Sequence, residues 1–235
     1  MISIFLNSRK RVSLLKDLLL SLQNNTSNVD ELEVFIRVDD DDHESIEYLD
    51  AESESKFSVN FTVGKRPLNL HESMNELATM TSGELLFVLN DDTAILTKDW
   101  DTKLKDIDAD DCLYIKTHDN SVDKVTDKDY ASFPILTRPA YEALGYFMSE
   151  RFVGLGGDVH LWRVFNSLGR IVDSDIFIDH IMHRTVNDVV HSDEVAWRMR
   201  HNSWNDNVDP WSIDISQDLE RIRGYISDKF STTNN

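Results

Sequence analysis

Short apolar runs alternate with helical patterns along the first half of the chain. The apolar runs lie at residues 2–6, 33–38, 59–63 and 85–89. Their branched and aromatic side chains are typical of buried strands. Between them, apolar residues recur at helical spacing from Val12 to Leu22 and from Leu70 to Met80. Strands that alternate with helices form βαβ units, so we expect an α/β fold with a mostly parallel sheet flanked by helices.

The second half of the chain is less regular, and its elements are predicted one by one. Helices are expected over 98–107, 139–145, 158–168 and 215–226, and strands over 133–138, 170–172 and 176–179. The glycine-rich turn at 154–157 precedes the third of these helices, and Gly169 is a natural stop after it. The polar tail at 231–235 is expected to be disordered. No internal repeat or linker marks a domain boundary.

The charge of the chain limits which partners it can bind. Its 235 residues carry 43 Asp and Glu against 24 Lys and Arg, a formal net charge of −19. Such a surface repels polynucleotide and anionic lipid, so a nucleic-acid partner is not expected. No apolar stretch is long enough for an integral membrane segment and no secretory pattern is visible, so we expect a cytoplasmic protein. The single Cys112 excludes an intramolecular disulfide and any cysteine-built metal site.

Polar clusters follow three of the predicted strands. They lie at residues 7–11, 39–42 and 90–93. Ligands of open α/β sheets bind beyond the carboxyl ends of the strands, so the three clusters are expected to meet at one site. The cluster at 7–11 is basic in an acidic protein and suits a diphosphate, although it also suits a polar loop before a helix.

The two acidic clusters each have two interpretations. Asp91 and Asp92 come directly after a buried strand, where paired carboxylates can hold Mg²⁺ or Mn²⁺. Asn and Asp are also favoured in turns, so a plain turn stays open. The run Asp39–Asp42 is either a solvated loop or a loop in which one carboxylate accepts hydrogen bonds from a nucleobase.

Asp158 and three late histidines are the remaining candidates. Asp158 follows two glycines at the start of a predicted helix, where it is either an N-cap or a general base. His180, His183 and His191 lie late in the chain, and His180 is a candidate third ligand for a metal at Asp92. Zinc is disfavoured because a fuller ligand set is missing.

In chain order, these segments resemble the family-2-type, GT-A-fold glycosyltransferases. The first strand and nucleotide loop of that family look like SIFLNSRKR here, and its second strand, which ends in an acid pair, looks like FIRVDDDD. The helix, Gly-Glu turn and strand that lead to the DXD motif are similar to NLHESMNELATMTSGELLFVLNDDT. The acceptor-side segment looks like Gly157-Asp158, then Arg163 and Gly169.

The resemblance implies a domain organisation and a set of site residues. A GT-A domain would cover 1–183, with a nucleotide half at 1–95 and an acceptor half at 96–183, and 184–235 would form an extension packed on it. Asp92 would be the main metal ligand, supported by Asp91 and His180, and Asp158 would be the catalytic base. Asp40 would contact the nucleobase. The implied nucleotide contacts are Asn7, Ser8, Arg9, Arg11, Asp39, Asp40, Asn75 and Asp91.

The implied reaction moves a sugar from a UDP- or GDP-sugar to a hydroxyl of a glycan or small-molecule acceptor, with inversion and with Mn²⁺ or Mg²⁺. Two positions depart from the family pattern: Asn90 replaces the first acid of the DXD motif, and Gly157 replaces the acid that usually precedes the base. A nucleotidyltransferase and a non-catalytic Ca²⁺-binding module are the alternatives. The first lacks a glycine-rich basic loop at 2–25, and the second lacks calcium-loop spacing at 39–44.

Overall fold

The apolar runs of the sequence become the strands of one sheet. The structure, a computed structural model, describes residues 1–51, 55–120, 130–181 and 208–232. The strands in these ranges are β1 (Ile2–Ser8), β2 (Leu32–Asp39), β3 (Ser58–Gly64), β4 (Leu85–Val88), β5 (Thr93–Ile95), β6 (Tyr114–Asp119), β7 (Ile135–Thr137) and β8 (Ile171–His180). The helices are α1 (Val12–Asn25), α2 (His43–Ala51), α3 (Leu70–Met80), α4 (Arg138–Leu144), α5 (Gly157–Ser167) and α6 (Ser216–Thr232).

The order of the strands confirms the predicted, mostly parallel sheet. It runs β3-β2-β1-β4-β7-β6-β8-β5. The first four strands are mutually parallel, and β7 pairs with β4 in the antiparallel direction. Beyond β7, β6 and β8 pair in parallel, and β5 lies antiparallel to β8 at the edge. The central position of β1, between β2 and β4, brings the ends of these three strands together.

Alternate side chains of the strands pack into two separate apolar layers. In β1, Ile4 and Leu6 pack with the leucines of α1, whereas Phe5 packs with Leu77 of α3. Since successive residues of a strand face opposite sides of a sheet, the two layers lie on its two faces. The second layer also contains Ile222 of α6, which is fully buried. The last helix is therefore part of the second apolar layer.

Several predicted elements differ from the observed ones. Over 98–107 the chain forms only a 3-10 helix, Trp100–Leu104. Asp99 takes a left-handed backbone conformation (φ 51°), so a helix cannot begin before residue 100. The two short strands predicted at 170–172 and 176–179 are one strand, β8. The strands β5 and β6 and the helix α2 were not predicted. Among the described residues, no helix is both long and apolar enough to cross a bilayer.

Two further boundaries differ for local reasons. The strand predicted over 133–138 is shorter, since α4 begins at Arg138 and Pro139 occupies its first turn, where proline suits a helix. The expected disorder is wrong for residues 231 and 232, and residues 233–235 lie outside the described residues. Ser231 is still helical, with its Oγ donating to the Ser227 carbonyl at 2.8 Å, and α6 ends at Thr232.

Candidate functional site

The loop after β1 contacts the acid pair after β4. Ser8 Oγ donates to Asp91 Oδ2 at 3.0 Å, and the Arg9 backbone N–H donates to the same oxygen at 3.4 Å. These contacts follow from the parallel pairing of β1 and β4, whose carboxyl ends share one edge of the sheet. The structure thus brings together two of the three polar clusters that the sequence singled out.

Arg11 lies between the two carboxylates of the acid pair. Its Nη1 donates to Asp91 Oδ1 at 3.0 Å and lies 3.5 Å from Asp92 Oδ2. Burial raises the pKa of Asp91, and the charge of Asp92 raises it further, whereas Arg11 and Ser8 oppose that rise. Burial also acts to raise the pKa of Asp92, but His180 and Arg11 outweigh it and lower the pKa. The pair is therefore unequal, with Asp92 the more readily ionised member.

His180 lies beside Asp92 because of the register of the edge strands. In the antiparallel pairing of β5 with β8, Thr93 stands opposite His180, and the Ile181 N–H donates to the Asp92 carbonyl at 2.9 Å. His180 Nε2 is 3.6 Å from Asp92 Oδ1. Within the described ranges, this buried oxygen has no hydrogen-bond partner. A buried carboxylate oxygen without a partner next to an imidazole nitrogen fits the coordination chemistry of a divalent cation.

Arg9 connects the loop after β1 with the acidic run after β2. Its Nη1 donates to Asp39 Oδ2 at 2.9 Å, and its Nη2 donates to Asp41 Oδ2 at 2.8 Å. The hydrogen bonds from Arg9 lower the pKa of Asp41 to about 2. Burial raises the pKa of Asp39, although Arg9 opposes the shift. Asp39 and Asp41, which belong to the third polar cluster, therefore contact the site through Arg9.

The acidic run is only partly the solvated loop that its composition suggested. Asp39 and Asp42 are buried, whereas Asp40 and Asp41 are exposed. Asp42 caps the N-terminus of α2, because its Oδ1 accepts from the Ser45 N–H at 3.3 Å. The backbone of Asp40 is held at the sheet edge, because its N–H donates to the Gly64 carbonyl at 2.8 Å. Its contact with a nucleobase stays a prediction.

Two asparagines predicted as nucleotide contacts are engaged in the fold. Asn7 Nδ2 donates to the Leu70 carbonyl at 3.3 Å, and Asn7 Oδ1 accepts from Ser73 Oγ at 3.0 Å, so Asn7 joins β1 to α3. Asn75 Oδ1 accepts from the N–H groups of residues 147 and 148, and its Nδ2 donates to the Met148 carbonyl at 2.8 Å. Asn75 therefore fixes the segment before α5, and nucleotide binding by either residue stays a prediction.

Asp158 occupies the first turn of α5. The N-cap is Gly156, in a left-handed conformation (φ 96°), so Asp158 is not the cap that one interpretation of the sequence proposed. Its Oδ1 accepts from the Val159 N–H at 2.9 Å, and its side chain is half-buried. A carboxylate near a helix N-terminus is favoured in its ionised form. The group is thus suited to accept a proton.

Packing explains why residue 157, directly before Asp158, is a glycine. A Cβ at Gly157 would lie 2.5 Å from His71 Cε1, closer than carbon atoms approach in proteins. The His71 ring is buried, and its Nδ1 donates to the Ser149 carbonyl at 2.9 Å. Position 157 therefore excludes the acid that the family pattern has there, because the ring of His71 fills its space.

A series of contacts connects Asp158 with His180. The charges of Asp158 and Asp119 add to burial in raising the pKa of Tyr130 to about 12, which places both acids near its phenol. The residue after Asp119 is Asn120, whose Oδ1 accepts from the His180 N–H at 2.7 Å. Asp158 and Asp119 are therefore both near Tyr130, and the residue after Asp119 contacts the strand that carries His180. Sequence reasoning missed Tyr130 and Asn120, because only tertiary contacts distinguish them from other polar loop residues.

A buried charge cluster attaches α6 behind α5. Arg151 Nη2 donates to Asp218 Oδ2 at 2.6 Å, and His160 Nε2 is 3.2 Å from the same oxygen. Burial acts to raise the pKa of Asp218, but the hydrogen bond from His160 and the charges of His160 and Arg151 lower it to about 2. Sequence reasoning missed this cluster too, since its members are up to 67 residues apart.

The described residues hold one further group with metal-ligand chemistry, outside this site. His118, Asp173 and Asp175 each offer a ligand atom within 4.8 Å of the others, and both acids are exposed. His118 Nε2 and Asp173 Oδ1 are 2.7 Å apart, so the two side chains already satisfy each other. His183 and His191, which the sequence also singled out, lie outside the described residues.

No protein-family model matches the chain, and no curated protein sequence matches it. Several solved structures do match the chain in fold. The mannosyltransferase PcManGT from Pyrobaculum calidifontis in complex with GDP-Man and Mn²⁺ has a TM-score of 0.66 at 11% identity, covering 98% of this chain and 75% of that one. S. aureus TarS 1–349 in complex with UDP-GlcNAc has a TM-score of 0.58 at 14% identity, covering 98% and 72%.

GalNAc-T7 with UDP, GalNAc and Mn²⁺ has a TM-score of 0.64 at 12% identity. That match covers 96% of this chain, which spans 54% of the GalNAc-T7 chain. At these identities the likeness concerns the fold alone. The sheet with its flanking helices is the GT-A fold that the strand-end clusters and the resemblance predicted.

Proposed function

We propose that this chain is a metal-dependent glycosyltransferase that moves a sugar from a nucleoside-diphosphate sugar to an acceptor hydroxyl, with inversion. One observation carries the proposal. At the carboxyl ends of the strands of a GT-A sheet, Asp92 Oδ1 is buried without a hydrogen-bond partner among the described residues and lies 3.6 Å from His180 Nε2. The fold puts ligands at this edge, and the pair has the chemistry that a diphosphate-bound cation needs.

The donor diphosphate is assigned to the basic groups between β1 and the acid pair. Arg11 is within reach of Asp91 and Asp92, and the Arg9 backbone and Ser8 hydroxyl line the same carboxylates. Arginine suits phosphate because its planar fork donates to two oxygens at once. The proteins of similar fold with UDP, UDP-GlcNAc or GDP-Man bound support a nucleoside diphosphate as the ligand class.

Asp92 and His180 would hold the cation, with Asp91 in support. Mn²⁺ suits this set because it accepts both carboxylate oxygen and imidazole nitrogen, and Mg²⁺ suits the carboxylates. When bound, such a cation neutralises charge that develops on a departing diphosphate. The Mn²⁺ of PcManGT and of GalNAc-T7 supports the same assignment.

Asp158 is the proposed base. Its carboxylate accepts the proton of the acceptor hydroxyl while that oxygen forms a bond to the anomeric carbon. The bond from the anomeric carbon to the diphosphate oxygen breaks at the same time, and its electron pair stays with the diphosphate near Arg11. One displacement of this kind inverts the anomeric configuration. The half-buried first-turn position of Asp158 keeps the carboxylate ionised before the hydroxyl arrives.

Ligand-dependent thermal stability tests the proposal. UDP or GDP with Mn²⁺ should raise the melting temperature of the full chain, and EDTA should abolish the rise. The variants Asp92→Asn and His180→Ala should lose the rise, whereas the exposed-site control Asp106→Asn should keep it. A panel of nucleotide sugars, assayed for release of the nucleoside diphosphate, then identifies the donor.

Three outcomes would contradict the proposal. Stabilisation by Ca²⁺ alone would favour a binding module. Release of pyrophosphate from a nucleoside triphosphate would favour a nucleotidyltransferase. If Mn²⁺ with nucleotide raised the melting temperature equally in the wild-type chain and in Asp92→Asn, Asp92 would not be a metal ligand.

A further inference from the structure

Three aromatic side chains form a cluster at the surface near α5. This aromatic cluster consists of Tyr130, Trp162 and Trp211. The ring centroid of Trp211 lies 6.2 Å from that of Tyr130 and 5.9 Å from that of Trp162, both in edge-on geometry. Trp211 is 55% exposed, whereas the other two rings are half-buried. One indole face is thus available while the neighbouring rings support its edges.

The exposed ring is held by an anchored main chain. Arg163 Nη1 donates to the Pro210 carbonyl at 2.7 Å and to the Ile213 carbonyl at 2.9 Å. The Trp211 N–H donates to Asp209 Oδ1 at 3.0 Å, which closes a turn around the tryptophan. A side chain that is exposed on a backbone fixed from both sides is pre-organised for a ligand.

The aromatic cluster adjoins the proposed base from two directions. A Cβ at Gly156, two residues before Asp158, would lie 3.1 Å from Pro210, so the turn that carries Trp211 packs against the turn that begins α5. On the other side, the charge of Asp158 contributes to the raised pKa of Tyr130, which places the carboxylate near that phenol. The turn that carries Trp211 therefore neighbours the first turn of α5, which carries Asp158.

The charges around the aromatic cluster select against an anionic ligand. Among the described residues, Asp119, Asp158 and Asp209 are acids that accompany it. The described cations near the turn that carries Trp211 are Arg163, which donates to main-chain carbonyls, and Arg151, which is paired with Asp218. A phosphorylated or carboxylated ligand would therefore meet net repulsion, whereas a neutral or amino-substituted one would not.

We propose that the aromatic cluster is the acceptor subsite, on which a neutral or amino-substituted pyranose ring stacks against the Trp211 indole beside Asp158. The assignment rests on the proposed function, because it makes Asp158 the group that meets the acceptor hydroxyl. A pyranose has an apolar face of C–H groups and a rim of hydroxyls, which complements the electron-rich face of an indole and the surrounding carboxylates. A flat lipid or polynucleotide surface would not fit one indole beside three acids.

An immobilised glycan array tests the subsite with the full chain in UDP or GDP and Mn²⁺. The wild-type protein should bind neutral or amino-sugar glycans in preference to phosphorylated and carboxylated ones. Trp211→Ala should weaken this binding roughly tenfold or more, and Trp211→Phe should retain most of it, since an aromatic face remains. The matched control is Phe177→Ala, which removes an aromatic ring of similar exposure (51%) elsewhere and should bind like the wild-type chain.

The outcomes separate this subsite from the proposed function. The subsite is wrong if the wild-type chain binds no glycan, prefers anionic glycans, or binds them as well after Trp211→Ala. Melting-temperature shifts with Mn²⁺ and nucleotide should be the same in Trp211→Ala and in the wild-type chain. If those shifts are absent from the wild-type chain, the proposed function fails whatever the array shows, and if they are present while Trp211→Ala binds normally, the subsite alone fails.

Discussion

The Arg11 guanidinium donates to Asp91 across 3.0 Å, and both side chains are almost completely buried, at 8% and 5% exposure. The same nitrogen lies 3.5 Å from Asp92. Without a nucleotide, the acid pair already has a cation of its own. On the proposed function, a divalent ion would share the carboxylates with Arg11 until a diphosphate attracts the guanidinium. Metal and nucleotide binding should consequently reinforce each other.

Replacing Arg11 should separate the two binding events. Arg11→Gln is expected to strengthen Mn²⁺ binding in the absence of nucleotide by roughly tenfold, because a competing buried charge is gone. The same variant should weaken UDP or GDP binding in the presence of Mn²⁺. Electron paramagnetic resonance of free Mn²⁺ measures the first effect and calorimetry the second. Lys103→Gln, a surface change of equal charge, is the control, and weaker Mn²⁺ binding by Arg11→Gln would contradict the competition.

The proposed base should affect turnover more than binding. Asp158→Asn keeps the size of the side chain but removes its capacity to accept a proton, so turnover should fall by roughly 10²–10⁴-fold. Affinity for nucleotide with Mn²⁺ should stay within a factor of about two, since the proposed role of Asp158 is to accept a proton from the acceptor and not to contact the diphosphate. Steady-state kinetics with the identified donor checks both values. If Asp158→Asn turned over as fast as the control Asp106→Asn, Asp158 would not be the catalytic base.

The packing of Gly157 on His71 predicts a local steric cost. Gly157→Ala places a Cβ 2.5 Å from the imidazole, and overpacking of this kind should lower the free energy of unfolding by about 1–3 kcal/mol. Gly224→Ala is the matched control: nothing lies within 4 Å of a Cβ there, and alanine in a helix interior should stabilise by about 0.5–1 kcal/mol. Urea unfolding measures both. In a His71→Ala background the cost of Gly157→Ala should shrink, and an unchanged cost would contradict the contact.

The buried Asp218 should make stability depend on pH in a defined window. Its folded-state pKa of about 2 lies below the unfolded value of 3.8, so the native state binds its proton more weakly. This stabilisation is present above 3.8 and is lost as the pH falls from 3.8 towards 2. Asp218→Asn leaves the Arg151 guanidinium without its ionised partner. It should lower the free energy of unfolding at neutral pH by about 1–2 kcal/mol, because Arg151 is 42% exposed and solvent screens the pair.

The measurement compares unfolding free energies of the wild-type chain and Asp218→Asn at a series of pH values. The difference in unfolding free energy between the two proteins should narrow as the pH falls from 3.8 towards 2. Glu220→Gln, an exposed change on the same helix, should show no such trend. A constant difference at every pH would mean that the carboxylate's charge does not contribute.

Periodicity and the strand-end rule were sufficient for the nucleotide half. The strands β1 and β4 are buried on both faces and β2 buries alternate residues, so their apolar runs stand out, and the polar residues after them had to share an edge of the sheet. The meeting of Ser8, Arg11 and Asp91 could thus be predicted without coordinates. That Arg11 would bridge both acids could not, because side-chain partners depend on rotamers and loop geometry.

The acceptor half was harder because its contacts are long-range and its elements short. The strand β5 has three residues, too few for a period to show. His180 was one of three late histidines until the register of β5 against β8 placed it beside Asp92. Tyr130 and Asp218 gave no signal, since their importance lies in neighbours 28 and 67 residues away along the chain, Asp158 and Arg151 respectively.

The position of Asp218 on the last helix has a consequence for protein synthesis. Arg151 and His160 emerge from the ribosome before the carboxylate that neutralises them, and Ile222 of the same helix completes the second apolar layer. The parallel strands β1, β2 and β4 can therefore pair on the nascent chain, whereas the second apolar layer stays incomplete until α6 has been synthesised. A chain stalled before residue 216 would hold a sheet whose second apolar layer lacks its last helix.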